Sequence, residues 1–231
     1  PGVYGRFGWT ASLIAIKQDR LEAAGRWLSG SLFWPHWLRM AGMKIGKGCE
    51  ISTISDVLPE LLEIGRESFF ADGIYLGNPR VYGDALVCAR VQLGSNTFLG
   101  NRCVVPSGST VPDDVLLGIA TVADNTRVSQ GTDWFGHPAF QLPRRQIVDC
   151  DRTLTHDPSW SRYLSRLSWE WARFALPILP VLGLLGWIKA VSWGSEELSA
   201  IELALWGLPV VGLCLGATLC LSVWALKWTL L

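Results

Sequence analysis

The 231-residue sequence has no surplus of either charge, with 20 Lys+Arg against 20 Asp+Glu, and only 17% of it is charged. Nothing in that balance would displace counterions from phosphates, so nucleic-acid binding is not expected. Histidine is scarce: there are three, and none lies between His36 and His137. The six cysteines (Cys49, Cys88, Cys103, Cys150, Cys214, Cys220) form no C-x-x-C pair and do not group with the histidines. No metal site is therefore expected, and the thiols read as reduced, mostly buried small hydrophobes. The chain also lacks an initiator Met and an N-terminal signal peptide, and reads as a piece of something longer. Hydrophobic residues at 49%, with 13 Trp, exclude disorder and suggest a chain that partly faces lipid.

What the sequence has instead is apolar length. Leu203 to Leu226 is uncharged over 24 residues, about 36 Å as a helix against a hydrocarbon core of ~30 Å. Phe174 to Trp193 gives a further 20 residues if Lys189 snorkels outward, or about 30 Å. Pro177 falls in the first turn of that helix, and Pro180 is expected to kink it. With Glu196 and Glu197 in the link, residues 174–231 predict a two-helix transmembrane hairpin. Arg144, Arg145, Arg152, Arg162, Arg166 and Arg173 precede it, which predicts an integral membrane protein with residues 1–173 on the cytoplasmic side. Within the juxtamembrane segment 146–173, Trp160, Tyr163, Leu164, Leu167, Trp169 and Trp171 alternate with arginines, the pattern of a helix in the bilayer interface. Residues 1–42 predict amphipathic helices carrying Leu13, Ile14, Ile16, Leu21, Trp27 and then Trp34, Trp37, Leu38. These lie in the interface or pack on the folded domain.

Between the helical ends runs a period of six. Val87, Leu93, Leu99, Val105, Val111 and Leu117 are aliphatic at strict spacing, as are Ile64, Phe70 and Leu76, and Ile45 and Ile51. A six-residue period fits neither a helix nor a simple alternating strand. It predicts short strands joined by sharp turns, three to a triangular coil, stacked as a parallel β-helix of about four coils over residues 43–145. Glycines after the aliphatic residue (Gly46, Gly65, Gly77, Gly94, Gly100, Gly118) are read as positions needing φ > 0. The break between Leu76 and Val87 reads as a projecting loop, and Val91 and Val104 as side positions on the coil walls.

This hexapeptide pattern resembles the left-handed β-helix acyltransferases, which close their β-helix with a G-x-P-A signature; here that is Gly136-His137-Pro138-Ala139. The longer string GTDWFGHPAFQLPRR (131–145), ELLEIGRESFFADGIYLGNPRV (60–81), the opening PGVY with Gly8-Trp9, and the closing KWTLL resemble membrane-bound non-ribosomal-peptide-synthetase-like enzymes of the poly-ε-lysine synthetase type. The likeness covers nearly the whole chain, which would then be one C-terminal tandem repeat. It implies an acyltransferase or condensation-like repeat that forms peptide or isopeptide bonds between a carrier-bound aminoacyl thioester and an amine. The implied cofactor is phosphopantetheine on a carrier domain. The implied partners are that domain, the bilayer, and sister β-helix repeats in an intrachain pseudo-trimer or a homotrimer. A stand-alone membrane-anchored acetyltransferase using acetyl-CoA and a non-catalytic β-helix scaffold are the alternatives.

The reaction needs a base for the amine proton and donors for the oxyanion. Relatives commonly use a coil-loop His, and this sequence has none in its coils. The candidates are His137, at the variable position of G-x-P-A, and Asp72, a carboxylate near the projecting loop that could act as a base if desolvated. Asn78 and Asp84 sit beside it as turn residues. The resemblance implies that Trp134, Gly136, Pro138 and Ala139 line the acyl-donor groove. Asn101 reads as structural, bonding coil backbone. His36 and His156 read as packing and helix-entry residues, and Cys88 and Cys103 as buried.

Overall fold

The structure, a computed structural model, describes residues 1–143, 150–175 and 178–230. Two compact units are present, Pro1–Trp160 and Ser161–Leu231. Arg144, Arg145 and Pro177 lie outside the described residues.

In the first unit, β1 (Gly2–Gly5) leads into α1 (Trp9–Leu28) and α2 (Phe33–Met40). The chain then winds through β2 (Lys44–Ile45), β3 (Glu50–Ile51) and β4 (Ile54–Ser55). A second turn follows with β5 (Leu62–Ile64), β6 (Phe69–Phe70) and β7 (Ile74–Leu76). The projecting segment is an antiparallel hairpin rather than a loop: β8 (Arg80–Tyr82) pairs with β9 (Ala85–Cys88), and β9 pairs with β1. A third turn carries β10 (Val91–Leu93), β11 (Phe98–Leu99) and β12 (Val104–Val105). β13 (Thr110–Val111), β14 (Leu116–Leu117) and a bridge from Val104 to Val122 supply the next. Parallel pairs join β2, β5, β10 and β13 on one side, β3, β6, β11 and β14 on the second, and β4, β7 and β12 on the third. The register advances by 18 residues into the last turn, as in Leu93↔Val111 and Leu99↔Leu117. It advances by 19 in the first, as in Ile45↔Ile64, and by 29 where the hairpin is inserted, as in Ile64↔Leu93. Three sides with a register of three hexapeptides make a three-sided parallel β-helix.

The six-residue period is the inward position. Ile51, Ile64, Phe70, Leu76, Leu93, Leu99, Val105, Val111 and Leu117 are all buried in one core. Each such side chain stabilises the stack by about 1.5–3 kcal/mol relative to exposure. Two expectations change. Val87 is only half-buried in the hairpin strand β9, and Val91, expected on a wall, takes the inward place with no exposed surface. The glycines also act differently from the sequence reading. Of the six, only Gly77 has positive φ. At Gly46, Gly65, Gly94 and Gly100 a Cβ would sit 2.3–2.7 Å from backbone of the following coil, and at Gly118 2.6 Å from the Phe135 ring. Close approach of neighbouring coils, not chain reversal, excludes a side chain there.

Chain reversal occurs two residues later. Glu67, Asn96, Arg102, Asp114 and Ala120 have φ of 53–58°, in register with Gly48, Gly73 and Gly108. Each stands three residues after an inward residue. The left-handed region costs a residue with a Cβ roughly 1–2 kcal/mol, whereas glycine adds unfolded-state entropy of about 0.4–1 kcal/mol. Ala120, exposed and without polar side-chain atoms, isolates the difference. Ala120→Gly is expected to raise stability by up to about 1 kcal/mol, read as a higher urea midpoint at unchanged m.

The N-terminal helices pack on the first turn. Trp34 and Leu38 of α2 and Leu21 of α1 belong to the buried core. Donors from this segment take up the open edge of that turn: Arg39 donates to the carbonyls of Ile45 (3.1 Å) and Gly46 (2.7 Å), Trp34 Nε1 to Ser52 (3.1 Å), and the Gly30 N–H to Ile51 (3.1 Å). The outer face of α1 leaves Trp9, Leu13, Ile16 and Trp27 exposed.

The second unit holds most of α3 (Trp160–Ala175), then α4 (Ile178–Glu197) and a terminal helix (Leu208–Leu230). Ser199 opens the approach to the last helix with a reciprocal capping box to Glu202. Leu203–Gly207 is π-helical, just before Pro209. Proline lacks the N–H and crowds the preceding turn, which the wider π turn accommodates. Among the described residues, one helix is long and apolar enough to cross a membrane, Ala200–Trp224.

Candidate active site

The β-helix ends where its strand direction reverses. β15 (Asp133–Phe135) pairs parallel with β14, and β16 (Phe140–Gln141) folds back antiparallel on β15. The turn between them is Gly136-His137-Pro138-Ala139. Gly136 has φ +86°, a conformation that favours glycine. Its N–H donates to Thr121 Oγ1 (3.0 Å), tying the turn to the preceding coil. Arg127 secures the other end, donating to the Ala139 carbonyl (3.0 Å), with its guanidinium 5.2 Å over the Trp134 ring.

A cleft of about 430 Å³ lies beside this turn. His137, Pro138 and Ala139 line it, opposite Arg80 of the hairpin, Pro106 and Ser109 of a coil corner, and the segment from Val122 to Arg127. Its polar groups are mainly cationic or neutral. Asp124 is the one carboxylate among the lining residues, and it is engaged: it accepts from Thr126 Oγ1 (2.6 Å) and the Thr126 N–H (2.9 Å), bonds that hold its carboxyl below the ordinary aspartate range. Ser109 differs. It is 1% exposed, and its Oγ has no hydrogen-bond partner. A buried hydroxyl left unpaired costs roughly 1–3 kcal/mol, and in the wall of a polar cleft a bound acceptor would recover it.

The sequence candidates divide. Gly136, His137, Pro138 and Ala139 form the turn, and the last three line the cleft. Trp134 is 4% exposed in the core, its Nε1 donating to Thr132 Oγ1 (2.8 Å). It is not among the lining residues, and it meets the cleft only through Arg127, stacked on it. Asp72 is exposed at the corner after β6, where its carboxylate accepts from Ser52 Oγ and from Thr53 Oγ1 (3.4 Å). The desolvation expected of a base is absent there, and Asp72 does not line the cleft. Asn101 accepts the Asp72 N–H (3.0 Å), a backbone tie between coils. Burial pushes the Cys103 thiol up to about 12 and raises that of Cys88; neither lines the cleft. Among the described residues no group of three or more His, Cys, Asp or Glu could hold a metal. Sequence reasoning missed Ser109, Arg80 and Arg127. Ser109 occupies an ordinary corner position, and the two arginines reach the cleft only through the fold.

No family model matches the chain. Along its entire length it is similar, at 35% identity over 235 residues, to a delta-poly-L-ornithine synthetase of Acinetobacter baumannii strain AB307-0294. The match takes in only 18% of that synthetase, so the chain spans under one fifth of its relative. Among solved structures, a galactoside acetyltransferase in complex with coenzyme A aligns at TM-score 0.42 and 14% identity, over 66% of this chain and 88% of that one. A maltose O-acetyltransferase from Clostridium difficile 630 aligns at 0.40 and 14%, over 63% and 93%.

Proposed function

We propose that this chain, related over its whole length to one segment of a poly-ornithine synthetase, is an acyl-transfer repeat of a membrane-bound peptide synthetase. It moves an aminoacyl group from a phosphopantetheine thioester on a carrier domain to an amine. The observation that carries this reading is the meeting, in one cleft, of the His137–Ala139 turn, the partnerless hydroxyl of Ser109 and the guanidinium groups of Arg80 and Arg127. The arm of the donor carries a phosphate, amides and a thioester. Arg80 and Arg127 suit the phosphate, and the Ser109 hydroxyl donates to a carbonyl of the arm. His137, the imidazole lining the cleft, takes the proton as the amine attacks the thioester carbon. The C–S bond then breaks, and the proton goes to the departing thiolate.

The test is full-length synthetase carrying substitutions in this repeat, assayed with its carrier loaded with radiolabelled amino acid. His137→Gln is expected to lower kcat about 100-fold. Arg80→Gln is expected to raise KM for the loaded carrier with little change in kcat, and Ser109→Ala to lower kcat/KM about 10-fold. Wild-type rates in all three variants would remove the cleft from the reaction. Acetyl-CoA carries the same phosphopantetheine arm and is the alternative donor. Transfer of label from acetyl-CoA, with none from the loaded carrier, would select a coenzyme A-dependent acetyltransferase.

Two further elements belong to this reading. α4, with its single mid-helix Lys189, crosses the bilayer as the partner of the Ala200–Trp224 helix, leaving the β-helix unit on the cytoplasmic side. The β-helix associates with sister repeats of the same chain as a pseudo-trimer.

A further inference from the structure

A second, smaller cleft of about 280 Å³ opens between α1 and the hairpin, below the ~300–1,000 Å³ of drug-sized sites. Ile14, Val81 and Leu86 give it apolar walls, and Arg6, Gln18, Asp56 and Asn78 its polar groups. Arg6 and Asp56 line the same space, yet among the described residues no ion pair joins them, and neither charged group has a hydrogen-bond partner.

Asp56 is held in an unfavourable setting. Its backbone is left-handed, with φ 58°. Gln18 donates to its carbonyl (2.7 Å), and its N–H reaches the Glu22 carboxylate (3.3 Å), so a second acid lies beside it. Partial burial, with Glu22 near, raises its carboxyl above the ordinary aspartate range. A half-buried carboxylate with an acid for a neighbour and no counter-ion is stabilised by an incoming cation. Arg6, which also lines the cleft, has its guanidinium over the Phe7 ring (5.6 Å to the centroid) and no carboxylate partner among the described residues, so it favours an incoming carboxylate.

We propose that this cleft binds an α-amino acid as its zwitterion, the ammonium group against Asp56 and the carboxylate against Arg6, with an aliphatic side chain on the apolar wall. The cleft shares a wall with the donor cleft. Asn78, Pro79 and Val81 line this space, and Arg80, between the last two, lines the other. Service of the bound amino acid as the acyl acceptor rests on the acyl-transfer reading above; its binding does not.

The experiment is ligand-observed NMR on the full chain in detergent, with L-norleucine as probe and hexylamine and hexanoate as single-charge controls. Norleucine is expected to bind saturably with a Kd on the order of 1 mM, and each control at least 10-fold more weakly. Asp56→Asn and Arg6→Gln are each expected to weaken norleucine binding at least 10-fold. Asparagine tolerates the left-handed backbone, so Asp56→Asn keeps the fold, checked by an unchanged unfolding midpoint. No saturable norleucine binding up to roughly 10 mM, equal binding of either control, or indifference to both substitutions would overturn the site. No thioester is present in this assay. Norleucine binding together with wild-type synthetase rates in the His137, Arg80 and Ser109 variants would therefore overturn the donor cleft and keep this one.

Discussion

Gly65→Ala is expected to destabilise the β-helix by about 3 kcal/mol or more, at the top of the range for overpacked sites. A Cβ at Gly65 would stand 2.3 Å from the Ser95 nitrogen and 2.4 Å from the Gly94 carbonyl carbon. Both are backbone atoms, so no rotamer change relieves the clash. The Gly65 N–H donates to Leu93 O (2.8 Å), and β5 is laddered to β2 on one side and β10 on the other. Moving the coil away breaks that ladder on at least one side, so strain and lost hydrogen bonds add. The measurement is urea unfolding of the whole chain in detergent, followed by tryptophan fluorescence. Gly5→Ala is the control: a Cβ there meets nothing within 4 Å, and its effect should stay within about 0.5 kcal/mol. A Gly65→Ala loss as small as that of Gly5→Ala would mean that the coils can separate freely.

Trp34→Ala is expected to cost about 3–5 kcal/mol, the range for deleting a large buried aromatic. Trp34 is 1% exposed, donates from Nε1 to Ser52 O, and stacks on Trp37 at a centroid distance of 5.4 Å. Its removal opens a cavity under α2 and strips a donor from the first coil. Trp37→Ala, half-buried on the same helix, should cost distinctly less. A Trp34→Ala loss below about 1 kcal/mol would return α2 to the role of a peripheral helix.

The core of the β-helix was legible because one residue in six must be apolar and face inward, and the spacing of aliphatic residues along the chain reveals that beat. What was not legible follows from the same physics. Tight approach between coils and a left-handed backbone both select glycine, so Gly65 and Gly73 look alike in a sequence although only Gly73 has positive φ. The left-handed corners at Glu67 and Arg102 run against propensity and are set by the ladder around them, whereas Asn96 and Asp114 are residue types that tolerate that backbone. Val87 keeps the beat by coincidence, since the inserted hairpin lengthens that turn and pairs with β1 from the far N terminus. The pairing of residues 2–5 with 85–88 leaves no local signal.

The Gly136–Ala139 motif forms a turn of which His137, Pro138 and Ala139 line the cleft, and the fold gives its neighbours structural roles. Trp134 supports the cleft from beneath, and Asp72 stitches two coils together at the surface. Ser109 is informative only once its burial and missing partner are known.

The carbonyl edge of the first turn meets Arg39, Trp34 and Gly30, and the last parallel strand meets its own reversal in β16. The first turn is stoppered by these donors, and the last turn by β16 on one of its three sides. Unsatisfied edges are what let β-structures grow by accretion, and the capped ladder positions here give an incoming coil nothing to pair with.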